Sequence, residues 1–76
     1  MGYDKQYFAS KVRGARAELN MTQEEFGKAI GVNKTTIVDY ESGDGYTPGV
    51  DKLIAICDLS GKSPNELLGW RPRPRH

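Results

Sequence analysis

Residues 21–40 read Met21-Thr22-Gln23-Glu24-Glu25-Phe26-Gly27-Lys28-Ala29-Ile30-Gly31-Val32-Asn33-Lys34-Thr35-Thr36-Ile37-Val38-Asp39-Tyr40. Thr22 with Glu25 three positions on is a capping box, in which each side chain satisfies a backbone N–H that a helix start leaves free. Met21 before the cap and Phe26 at the fourth helical position suit a hydrophobic staple. The helix they open runs to Ile30, where Gly31 can take the left-handed conformation that ends it. Only Gly31, Val32 and Asn33 separate this helix from the next. Asn33 is a good N-cap. Ile37 and Tyr40, three apart, share one face of a second helix from about Lys34 to Ser42. The pattern is that of two short helices joined by a tight, glycine-containing turn.

The same periodicity extends outward. Upstream, Phe8, Val12, Ala15 and Leu19 recur at steps of four, three and four, which predicts a helix over residues 5–19 with Asn20 in its cap region. Downstream, Gly43-Asp44-Gly45-Tyr46 reads as a loop. Thr47-Pro48 reads as the N-cap and first residue of a fourth helix. Val50, Leu53, Ile54 and Cys57 are its expected buried stripe, and Gly61 its end. Ser63-Pro64-Asn65-Glu66 is a second capping box, opening a short fifth helix with Leu67 and Leu68 that stops at Gly69. The expected architecture is all-α, a five-helix bundle over residues 1–70. A basic tail, Arg71-Pro72-Arg73-Pro74-Arg75-His76, follows and is expected to be disordered.

Composition narrows the function. A chain of 76 residues holds one small domain and has no room for a second lobe around a deep cleft. Nothing approaches the ~18 apolar residues of a membrane span. The first residues lack the basic and apolar regions of an export signal, so the cytoplasm is the default compartment. One cysteine, Cys57, and one histidine exclude an internal disulfide and a Cys/His zinc site. No nucleophile–base pair and no phosphate-cradling glycine loop is present, so no catalytic residue, metal or cofactor is expected. The net charge of +1 is weak, but its distribution is uneven. Residues 1–70 carry eight basic and ten acidic side chains, a net of −2, and Arg71, Arg73 and Arg75 supply the only dense basic cluster.

The stretch from Gln23 to Tyr40 resembles the helix-turn-helix of the Cro and phage-repressor type, the xenobiotic-response-element family. Phe26, Ile30, Val32, Ile37 and Tyr40 fall on its apolar steps, Gly27 on its small mid-helix residue, and Gly31 on its turn glycine. Arg16 upstream and Glu41-Ser42-Gly43 downstream match as well, as do Thr47-Pro48 through Leu59 and Ser63 to Leu68. The resemblance implies the lambda-repressor-like fold and a sequence-specific regulator of bacterial or phage origin, Cro-like, that binds double-stranded DNA. It places the third helix in the major groove with Lys34, Thr35, Val38 and Asp39 toward base edges. It places Gln23, Asn33 and Thr36 near phosphates, and pairs Arg16 with Glu41 as a structural ion pair. A homodimer on pseudo-palindromic sites is implied, and no membrane or small-molecule partner.

This chain departs from the family in having Val38 and Asp39 where polar or basic side chains are common. Asp44 likewise stands in a loop that often carries Lys or Arg. An antitoxin or protein-interaction module on the same fold is the alternative reading. The tail arginines Arg71, Arg73 and Arg75 are further candidates for phosphate contact. Trp70 caps the core or meets a second copy; the sequence leaves both open.

Overall fold

The computed structural model describes residues 5–44 and 47–69. Five helices follow one another: α1 (Lys5–Glu18), α2 (Gln23–Ile30), α3 (Lys34–Glu41), α4 (Val50–Ser60) and α5 (Pro64–Leu68). Among the described residues there is no strand. The helix order, both capping boxes and the three-residue turn agree with the sequence-based expectation. Arg71 to His76 and Trp70 lie outside the described residues.

Local chemistry explains the joints. The α1 chain reverses at Asn20, which holds φ 60°, a conformation that asparagine tolerates better than most side chains. At α2, Thr22 Oγ1 accepts from the Glu25 N–H at 3.0 Å and Glu25 Oε1 accepts from the Thr22 N–H at 2.8 Å. Gly31 closes α2 at φ 85°. Gly27 has a different reason to lack a side chain. A Cβ there would lie 2.8 Å from the Val32 carbonyl oxygen and 3.2 Å from that of Asn33. The close approach is therefore to the backbone of the turn that leads into α3.

Phe8, Val12, Phe26, Ile30, Ile37, Tyr40, Ile56 and Leu67 form the core, drawn from all five helices. Burying a side chain such as Phe8 or Ile37 is worth about 1.5–3 kcal/mol. Phe8 and Tyr40 meet edge to face, with ring centroids 6.4 Å apart, an arrangement that aligns ring edges with ring faces.

The start and the buried face of α4 differ from expectation. Gly49 is the N-cap, with no side-chain cap, and the first helical bond runs from the Leu53 N–H to the Gly49 carbonyl at 2.9 Å. Thr47 and Pro48 precede the helix. A proline ring fixes φ at a value shared by helix and extended chain, so it does not decide where the helix begins. Asp51 in the first turn complements the dipole of the start that is used. Ile56 is fully buried, while Val50 and Ile54 are exposed; Leu53, Cys57 and Leu59 are half-buried against the core. Residues 53–57 are apolar without a break, so spacing alone leaves the helix face free to rotate. Packing against α2 and α5 selects the side centred on Leu53, Ile56 and Cys57.

Candidate nucleic-acid interface

Helix α3 is eight residues long, and its geometry sorts them. Ile37, Tyr40 and Glu41 point inward. At 100° per residue the opposite side carries Thr35 and Asp39, flanked by Val38. Lys34, Thr35 and Val38 are exposed and Asp39 is half-exposed. Among the described residues the ion pairs are Arg16–Glu41 and Lys62–Glu18, so Lys34 and Asp39 do not pair with each other.

The start of α3 is tied by its own cap. Asn33 Oδ1 accepts from both the Thr36 N–H and the Thr36 hydroxyl, each at 2.9 Å. This commits the Thr36 hydroxyl hydrogen and one acceptor of Asn33, and leaves the Asn33 amide N–H groups as donors.

Glu41, at the far end of α3, is 7% exposed and holds the motif together. Arg16 Nε donates to its Oε2 at 2.7 Å and Arg16 Nη2 to its Oε1 at 3.1 Å, a two-pronged contact. Arg16 Nη1 also donates to the Met21 carbonyl at 3.1 Å. The bond to Glu41 raises the Arg16 pKa above its ordinary value against the opposing effect of burial. Gln23 Nε2 donates to Glu41 Oε1 at 3.2 Å. The Gln23 amide, read from the sequence as a phosphate contact, thus spends one donor inside the domain.

Two residues that sequence reasoning passed over brace the same end. Arg13 Nη1 donates to the Glu41 carbonyl at 2.6 Å, and Gln6 Nε2 to the Gly43 carbonyl at 3.3 Å. A cation on the last carbonyls of a helix is favourable. The available signal for Arg13 was its spacing, three residues before Arg16 on one helix face.

Between the starts of α2 and α3 lies a cleft of about 530 Å³, lined by Arg16, Thr22, Gln23, Glu24 and Lys34. Two of the five Arg16 N–H groups remain beyond the bonds just named. The cleft brings Arg16, Gln23 and Lys34 together, with Glu24 as its one acid. Asn33 and Thr36 are not in its lining and bond to each other in the α3 cap, with the Asn33 amide N–H groups left over.

The profile of the helix-turn-helix family matches residues 12–67, a span that runs from mid-α1 to α5. The chain belongs to that family. Over 61 residues it is 47% identical to the cryptic phage CTXphi transcriptional repressor RstR of Vibrio cholerae, covering 80% of this chain and 54% of that protein. Over 61 residues it is 34% identical to the HTH-type transcriptional activator BcrR of Enterococcus faecalis, covering 80% of this chain and 29% of that protein. The chain spans about half the length of the first relative and under a third of the second. The P22 c2 repressor protein, solved with a synthetic operator, superposes with a TM-score of 0.76 at 28% identity, covering 83% of this chain and 94% of that chain.

Away from this surface, Cys57 is half-buried on α4. Burial, with the carboxylates of Asp58 and Glu66, pushes its thiol pKa up, which disfavours the nucleophilic thiolate. Among the described residues no helix is long and apolar enough to cross a membrane.

Proposed function

We propose that this helix-turn-helix protein is a transcriptional regulator that binds double-stranded DNA through α3, in the manner of a phage repressor. The carrying observation is the outward surface of α3, exposed at Lys34, Thr35 and Val38 and held rigidly from behind through Glu41. Likeness to the P22 c2 repressor, solved with a synthetic operator, supports the reading. Lys34 donates to guanine, Thr35 offers a hydroxyl and a methyl group, and Asp39 accepts from cytosine. Gln23 and Arg16 face phosphates at the start of α2, and the Asn33 amide does so at the start of α3, ends where the helix dipoles are positive. The Thr36 hydroxyl is the weakest member, since its hydrogen goes to Asn33. One eight-residue helix reads few base pairs, so two copies on a pseudo-palindrome are proposed. Such a regulator works in the cytoplasm and without a cofactor.

The acids Glu24, Asp39 and Asp44 around this surface favour a second reading, a protein-interaction module. Selection from a random duplex library, followed by a salt titration of the winner, separates the two. A DNA regulator enriches one motif and loses affinity steeply as salt rises. No enrichment, with weak binding to all duplexes, favours the interaction module.

A further inference from the structure

We propose that Val38 makes α3 a reader of the pyrimidine 5-methyl group, the substituent that thymine and 5-methylcytosine both project into the major groove. This rests on the DNA-binding reading above and deepens it. Four large hydrophobic side chains are exposed among the described residues: Tyr7, Val38, Val50 and Ile54. Of these, Val38 alone stands on α3, 43% exposed.

Local stability does not explain a valine there. Thr35, Thr36, Ile37 and Val38 are four consecutive β-branched residues in an eight-residue helix, and β-branching lowers helix propensity. Full burial offsets this for Ile37, and the bond to Asn33 offsets it for Thr36. Val38 is neither buried nor hydrogen-bonded, and an exposed helix position is better served by Ala, Glu, Gln or Lys.

Its chemistry then restricts what it can recognise. Every hydrogen-bonding group on a base edge in the major groove is a donor or acceptor that valine cannot satisfy, and covering one without a partner is unfavourable. The 5-methyl group is the one apolar feature of that groove. Thr35, three residues earlier, lies on the same side of the helix and adds its own methyl to the patch. The stiff χ1 of valine also means that little side-chain freedom is lost on docking.

The test begins with the duplex selected from a random library. Each thymine is replaced in turn by uracil, which removes the methyl group and leaves every hydrogen-bonding edge intact. The parent protein is expected to lose about fourfold in affinity at one position per half-site, the factor that one buried methyl group is worth. With cytosine at that position, adding a 5-methyl group should recover a similar factor. The Val38→Ala variant, which keeps a better helix former at an exposed position, should bind the thymine and uracil duplexes equally. Circular dichroism checks that its helices stand.

A thymine duplex that outbinds the 5-methylcytosine duplex makes thymine the natural ligand, and the reverse makes it methylated cytosine; either supports the proposal. A parent protein indifferent to every thymine-to-uracil change overturns it while leaving DNA binding intact, as does Val38→Ala if it keeps the discrimination. Failure to select any duplex removes the DNA-binding reading itself, and this proposal with it.

Discussion

Glu41 carries a charge into a nearly closed environment, and Arg16, Gln23 and Arg13 converge on it from two other helices. Removing one partner of such a pair is more damaging than never having built it, because the survivor keeps its desolvation penalty. Glu41→Ala should lose on the order of 3 kcal/mol, at the low end of the range for a buried pair because Arg16 is 24% exposed. Urea denaturation of Arg16→Ala, Glu41→Ala and the double variant measures their coupling. A coupling energy near zero would show that the bond seen here carries no stability. The pairing was legible before the fold was known only through the family pattern, since residues 25 apart in sequence announce no contact. The Gln23 contact was not legible, and Arg13 offered only its spacing from Arg16. Both depend on the end of α3 lying against α1 and the start of α2, which no local pattern encodes.

Helix starts follow short-range rules, and these were readable. Thr22 with Glu25, and Ser63 with Glu66, are capping boxes in the folded chain as in the sequence. Helix α4 was less legible because its start has no side-chain cap and its apolar residues are contiguous, so packing had to choose the face. The second box offers a pH test. The Ser63 backbone N–H donates to the Glu66 carboxylate at 2.7 Å and is the main cause of its lowered pKa. A carboxyl group depressed on folding stabilises above its unfolded pKa, and that contribution is lost as pH falls through the folded value. The parent should therefore lose part of the stability of α5 on acidification below the ordinary carboxylate range. Glu66→Gln, which does not titrate, should show a smaller change over the same interval. Amide exchange at Glu66 and Leu67, followed with pH in both proteins, reads this; identical profiles would remove Glu66 as the titrating group.

Over the whole molecule, the difficulty is charge. Residues 1–70 carry a net −2, a poor match for a polyanion, and the balancing arginines Arg71, Arg73 and Arg75 follow the domain. We propose that the tail arginines add phosphate contacts that the acidic domain lacks. Deleting residues 71–76 should leave folding unchanged and weaken specific and non-specific duplexes by similar factors. The slope of log K against log salt should become shallower by about 0.9 per lost contact; an unchanged slope would make the tail a bystander. The most direct measurement bears on α3 itself: Lys34→Ala, titrated against the selected duplex and its single-base variants. If α3 reads base edges, the variant should lose about 1–3 kcal/mol on the preferred duplex and become indifferent to the base pair at one position. If Lys34→Ala ranks every sequence as the parent does, α3 is not the reader.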